Sequence, residues 1–401
     1  MNDFLGLAAI IFIILITLFI SLRWPGISKI IFVALFVRIL FILIGHYFIT
    51  LPDSNEDAAE FERLAAEFAQ SGFFNIFSHY TGASSYFISW IIAIPYSLFG
   101  RSILMAKSIS LFFGIGSVLL GWLLTRKLWN DQVANKIGWI ISLFPSLVLY
   151  SSLTLRESYI TFFLLLAMIG VVDWVKTKSF KSIIIATMGF IGATFFHGAM
   201  ITGLIVFLII ILVNSIRHFY KLINKGKIGK KSFIFMILGL IFITIYPIDK
   251  ISVPKFGTFQ EAADLSRLSE HTGNVTIGDA SFPKWTKINS NIEFIYKTPV
   301  RALYFIFSPF PWEIKKVSHL IGFFDSLSYM FMAYLIFYNR EVILEDPALY
   351  IILSILICYF FVFGIGVGNF GTAFRHRSKF IIEFIVIAGP FIPKLLISKK
   401  T

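Results

Sequence analysis

LPDSNEDAAEFERLAAEFAQSG, residues 51–72, decides how the rest of this chain is read. Asp53, Glu56, Asp57, Glu60 and Glu62 fall within ten residues of one another, in a protein where Lys and Arg outnumber Asp and Glu by 35 to 22. Phe61, Leu64, Ala65 and Phe68 recur at i, i+3, i+4 and i+7, which predicts an amphipathic helix over residues 56–69 lying on an apolar surface. Such a helix would hold Asp53 and Asp57 at a membrane edge. A solvated acidic loop accounts for the charge alone equally well.

Apolar surface is plentiful on both sides of this stretch. A chain of 401 residues that is 57% hydrophobic, 17% aromatic and 14% charged, with mean hydropathy +0.83, has too much of it for a soluble core. The composition predicts a polytopic membrane protein. Cys358 is the single cysteine and lies in an apolar run, which excludes a disulfide framework and a cysteine-ligated zinc site. The net charge of +13 reads as cytoplasmic-loop bias and not as a nucleic-acid footprint.

Upstream, residues 4–22 and 28–50 are each long enough to cross a hydrocarbon core that needs roughly 20 residues. Neither a basic leader nor a small-residue cleavage site marks the first as a signal peptide. The basic turn at 23–29 predicts a cytoplasmic side there, so the acidic stretch falls outside. Downstream, residues 86–100 are broken by Pro95 and read as juxtamembrane. Spans at 103–124, 134–152, 159–175, 182–196, 200–216, 232–246, 321–338, 349–366 and 380–396 bring the expected total to about eleven. The predicted fold class is all-α, a polytopic transmembrane helix bundle with outer-face juxtamembrane helices. Its expected parts are two N-terminal spans (1–50), the first outer loop (51–102), a transmembrane bundle (103–248), an outer subregion (249–320) and the C-terminal spans (321–401). This threading puts the basic loop 217–231 inside.

It also gathers unrelated polar residues on the outer side: Asp53, Glu56, Asp57, Lys107, Arg156, Glu157, His197, Arg301, Arg375, His376 and Arg377. Cations there run against the usual bias. Carboxylates on one wall and guanidinium groups on another suit transfer chemistry on an anionic substrate, because arginine grips phosphate with two hydrogen bonds and lysine acts as a point charge. Arg156 and Glu157 would equally serve to neutralise each other at a helix start. Arg375-His376-Arg377 follows a glycine-rich approach, 364–371, whose backbone is expected to come close to a ligand. Arg38 sits in mid-span and must face the interior, where a pair with Asp325 would satisfy both.

On these residues the chain resembles the GT-C glycosyltransferases, multi-spanning enzymes that take sugars from polyprenyl-phosphate carriers. Asp57-Ala58-Ala59-Glu60-Phe61 stands where members carry Asp-Glu-x-x-Tyr in the first outer loop. The passage from Pro95 through Arg101 to Lys127, and the run from Phe144 to Glu157, are also similar, so the resemblance covers residues 51–175. The Arg-His-Arg group and residues 308–312 look like those of relatives associated with cell-surface polysaccharide assembly.

The resemblance implies a polyprenyl-linked sugar donor, undecaprenyl in a bacterial inner (plasma) membrane, a lipid or glycan acceptor, and an active site facing away from the cytoplasm. Asp57, with Asp53, would be the catalytic base. Arg156, Arg375, Arg377, Lys107 and Arg101 would hold phosphate, and Glu157, His197 and His376 would contact substrate. Ala58 replaces the motif's second acid and Phe61 its aromatic hydroxyl, and one carboxylate is a poor cage for a divalent ion. No metal ligand is assigned and no cofactor is certain. A polysaccharide repeat-unit polymerase would use the same face and carrier. A lipid-linked glycan flippase would need a polar path through the membrane, and an acyltransferase would rest on His197 alone.

Overall fold

A computed structural model describes residues 2–79, 86–224 and 280–393. Regular structure in them is helical, apart from an isolated antiparallel bridge between Ser281 and Asn369. Helices α1 (Asn2–Arg23) and α2 (Ser28–Tyr47) form an apolar hairpin around the turn Pro25–Ile27. The acidic stretch then folds as α3 (Asp57–Gln70), with Phe61 and Ala65 buried as the spacing predicts, Leu64 and Phe68 half-buried, and Ala58 buried beside them. Its partner is α4 (Phe87–Phe99), whose Ser89 hydroxyl donates to the Phe61 carbonyl at 2.8 Å while Trp90 stacks on Phe68 at 4.4 Å. On the opposite face Arg63 bridges Glu60 and Glu67, so two of the acids serve a surface pairing.

The central helix α5 (Ile103–Leu128) is followed by α6 (Asp131–Leu143) and α7 (Pro145–Tyr150). The span expected over 134–152 is therefore broken. Proline forces the residue before it out of the helical region, and Phe144 is extended at φ −63°, ψ 121°. Next come α8 (Glu157–Thr177), α9 (Phe180–Phe196) and α10 (Ile201–Asn224). Helices α8 and α9 approach backbone to backbone. A Cβ on Gly170 would lie 2.4 Å from the Ala186 nitrogen, so only glycine fits there.

The C-terminal part comprises α11 (Asn291–Phe307), α12 (Val317–Tyr338), α13 (Arg340–Glu345), α14 (Pro347–Gly366), α15 (Phe370–Arg377) and α16 (Ile381–Ala388). The acidic turn before α14 has a local reason, since Asp346 caps that helix by accepting from the Ala348 and Leu349 amides.

Seven helices among the described residues are long and apolar enough to cross a membrane: α1, α2, α5, α8, α10, α12 and α14. This is a multi-pass membrane architecture, with seven such helices among the described residues where about eleven spans are expected over the whole chain. Helix α9 has 17 residues, and α16 has eight, every one of them buried. Eight residues rise about 12 Å, well short of a hydrocarbon core of about 30 Å. The apolarity over 380–396 that predicts a span is, over α16, the apolarity of a segment surrounded by protein. The expected span 232–246 and residues 249–279 of the outer subregion lie outside the described residues.

The buried charges pair differently from expectation. Arg38 donates to the Ser151 hydroxyl at 2.9 Å and to the Ala34 and Ser142 carbonyls at 3.1 and 2.8 Å. Asp325 is taken by Arg377 at 2.7 Å, so the predicted Arg38–Asp325 pair does not form.

Candidate active site

Three distant stretches meet at one end of the bundle: the approach to α3, the segment from α7 to the start of α8, and α15 with the residues after it. Their junction is Arg375. Its Nη1 donates to Asp57 Oδ2 at 2.6 Å and its Nε to Glu157 Oε1 at 2.9 Å. Residues 318 and 218 positions away in sequence are thus bridged by one side chain. Lys379 Nζ lies 3.5 Å from the same Glu157 oxygen, and the Tyr150 hydroxyl donates to Asp53 Oδ2 at 2.9 Å.

Local structure explains how α15 presents Arg375. Arg301, fully buried, donates to the carbonyls of Gly364, Ile365 and Val367, which closes the C-terminus of α14. The chain then pairs with residues 280–282, where Phe370 N donates to Ala280 O and Phe282 N to Gly368 O. Asn369 caps α15 by accepting from Thr372 N at 2.7 Å. The glycine-rich approach was expected to face a ligand, and Gly364 does something else. A Cβ there would lie 2.7 Å from the Ala302 backbone, so this glycine lets α11 and α14 pack.

Electrostatics around Arg375 are uneven. Glu157 is 1% exposed, and the Arg375 side chain is 14% exposed, whereas Asp57 is half open to its surroundings. Burial would lower Arg375, but Glu157 and Asp57 outweigh it and hold the guanidinium above its ordinary value. Burial lowers the neighbouring Arg156, with Glu157 opposing. Arg156 does not pair directly with Glu157. Its Nη1 reaches the Phe196 carbonyl at 3.4 Å, and its guanidinium lies 5.9 Å from the Phe61 ring centre. Two donors of this cluster, Arg156 Nε and Arg375 Nη2, are buried without a hydrogen-bond partner, as is the acceptor Glu157 Oε2. Unpaired buried guanidinium hydrogens are costly and call for an acceptor.

His376 and His197 meet edge to face at 5.3 Å beside Phe363. Burial first, then Lys379, His197, Arg156 and Arg375, hold His376 well below the ordinary imidazole value. The Lys379 ammonium sits against His376 Nδ1, which can then only accept. His197 Nδ1 accepts from the Ala199 amide at 3.3 Å.

Of the residues singled out by sequence, Asp53, Asp57, Arg156, Glu157, His197, Arg375 and His376 therefore come together, while Arg301, Arg377, Arg101 and Lys107 do not, Arg301 being spent on the end of α14. Arg377 is fully buried on the other side of α15, where it binds Asp325, the Ile306, Ser308 and Gly322 carbonyls and the Ser326 hydroxyl. It cannot hold a phosphate as expected, because positions i and i+2 of a helix face apart. Arg101 is occupied by Glu62, with Nε at 2.9 Å and Nη2 at 2.6 Å from its two oxygens. Lys107 lines, with Arg101, a separate cleft. Lys379 and Tyr150 were missed. Lys379 stands four residues after Arg375, a spacing that marks it, but nothing near Tyr150 in sequence points to Asp53.

The residues present do not fit the divalent metal that the resemblance leaves open. Among the described residues no three His, Cys, Asp or Glu side chains group as ligands, Arg375 lies between Asp57 and Glu157, and Tyr150 holds Asp53. No protein-family model, curated protein or solved structure matches this chain.

Proposed function

We propose that the chain is a membrane-embedded glycosyltransferase that takes a sugar from a polyprenyl-linked donor at the extracytoplasmic face to build an envelope glycan or glycolipid. The observation that carries this reading is the pair of buried, unpartnered guanidinium donors, Arg156 Nε and Arg375 Nη2, beside a half-exposed carboxylate, Asp57. An anion needs such donors and an attacking hydroxyl needs such a base.

In this reading the donor phosphate lies on Arg156 and Arg375, with Glu157 and Lys379 fixing the Arg375 fork. Phosphate and Asp57 compete for Arg375, so binding of the donor loosens the 2.6 Å contact and leaves Asp57 as an acceptor of protons. The acceptor hydroxyl oxygen attacks the anomeric carbon and its proton passes to Asp57. The bond from that carbon to the phosphate oxygen breaks, and the electron pair leaves with the polyprenyl phosphate, whose charge the two arginines stabilise. A single displacement inverts the anomeric centre. Asp53, held by Tyr150, is the second carboxylate within the cluster. The repeat-unit polymerase would use the same residues. The flippase reading has less support, because the chamber that Arg38 lines has about 20 Å³ and Asp325 is bound to Arg377.

The test is transfer from a radiolabelled polyprenyl-linked sugar by purified protein. Asp57→Asn is expected to lower turnover by about 10²–10⁴-fold, the worth of a positioned base, with unchanged thermal stability. Turnover equal to that of the wild type would reject Asp57 as the base.

A further inference from the structure

The cleft that holds Lys107 lies between α2, α3 and α5. Its volume is about 710 Å³, within the usual range for small-molecule sites. None of its lining residues belongs to the Arg375 cluster, although Leu153 and Thr154, which also line it, stand just ahead of Arg156 in the chain. Asp57 faces Arg375, while Ala58, Ala59 and Glu62 face the cleft.

Four basic residues line it, and three are already matched. Arg101 grips both oxygens of Glu62, Arg63 lies between Glu60 and Glu67, and His46 is 3.5 Å from Asp3. Lys107 differs. It is 7% exposed, its ammonium has a 3.4 Å contact with the Gly45 carbonyl, and among the described residues no carboxylate lies within ion-pair distance. An ammonium has three donors, and one helix-terminal carbonyl at the long limit of hydrogen bonding satisfies at most one of them. Burying such a charge without a counter-ion is expensive, so the cleft is built for an anion.

The rim says what kind of anion. Tyr47, Phe48 and Ile49 are 51%, 80% and 58% exposed at the point where α2, a helix fit to cross a membrane, ends. An occupant that reaches Lys107 therefore passes apolar groups at the level where such a helix leaves the bilayer.

We propose that this cleft is a second ligand site, which takes the anionic phosphate headgroup of a lipid with Lys107 as counter-ion and Tyr47, Phe48 and Ile49 against the chain. The site rests on its own residues, whatever chemistry the Arg375 cluster performs.

The full-length protein in phosphatidylcholine nanodiscs is photolabelled with a diazirine-bearing dodecyl phosphate, and the labelled peptides are mapped by mass spectrometry. Label is expected on residues 45–50 and 101–107, with affinity lowered about tenfold in Lys107→Gln, a loss of roughly one charge-assisted contact, and kept in Lys107→Arg. Equal labelling of the wild type by the uncharged dodecanol analogue would overturn the proposal without recourse to any variant. So would affinity unchanged in Lys107→Gln, label elsewhere, or competition by inorganic phosphate as strong as by dodecyl phosphate, which would make the ligand a free anion. None of these readouts involves sugar transfer, so they succeed or fail separately from it.

Discussion

Arg375 and Arg377 lie two residues apart on α15, and each binds a carboxylate brought from a distant helix or loop. Around Arg377 every nitrogen has a partner, four of the acceptors are backbone carbonyls or a hydroxyl, and the side chain is sealed. Around Arg375 two carboxylates share one guanidinium, its Nη2 is unpaired, and one of the carboxylates reaches the surface. A saturated arginine has nothing left to offer a ligand and holds helices together. An unsaturated one at a surface opening keeps donors for something not part of the chain. Identical residue types on one short helix thus differ in how many of their hydrogens the fold already uses, and so in what they have left to offer.

The widest gap between the two should appear in stability. Arg377→Met leaves Asp325 buried and unpaired, and is expected to cost about 3–5 kcal/mol, read as loss of folded protein in detergent or a large drop in thermal midpoint. Arg375→Met leaves Glu157 with Lys379 and Asp57 exposed, so its midpoint should fall far less while transfer is lost. Equal destabilisation by the two would erase the contrast.

A smaller effect tests the second carboxylate. Tyr150→Phe removes one hydrogen bond to Asp53, worth about 0.5–1.5 kcal/mol or slightly more to a charged group. If Asp53 assists the reaction, turnover should drop by up to about tenfold with little change in midpoint. Unaltered turnover would assign the Tyr150–Asp53 contact to loop structure alone.

Smallest of all is a pH effect from the cationic surroundings of His376. The folded chain holds this imidazole well below its ordinary value, chiefly by burial and Lys379, so the unfolded chain binds a proton that the folded chain refuses. Stability is then full above the unfolded imidazole value of about 6.5 and falls as pH drops below it. His376→Gln should flatten that slope between about pH 6.5 and 5. The same slope with and without His376 would contradict the neutral assignment.

Much of this was legible from residue order. The helix over 56–69, its buried Phe61 and Ala65, the short Pro95-containing helix within 86–100 and the long apolar helices around it follow from periodicity and length, which local sequence encodes directly. The grouping of Asp57, Glu157 and Arg375 was anticipated from topology, since segments assigned to one side of a bilayer are confined to a thin layer where they can meet. The error over Arg377 was avoidable, because a helix separates positions i and i+2 whatever surrounds it. The break at Pro145 was also written in the chain and was overridden by the apolarity on either side.

What sequence by itself determined is the material: an all-helical, multi-pass membrane chain whose scarce carboxylates and arginines cluster in a few short stretches. Tertiary structure alone decided which charge meets which, that Arg375 and not Arg377 faces the acidic loop, that Asp325 belongs to Arg377 and not Arg38, and that α16 is wrapped by protein. Apolarity and helical period are properties of neighbouring residues, while an ion pair depends on the position of two side chains more than 200 residues apart. Only packing fixes that distance.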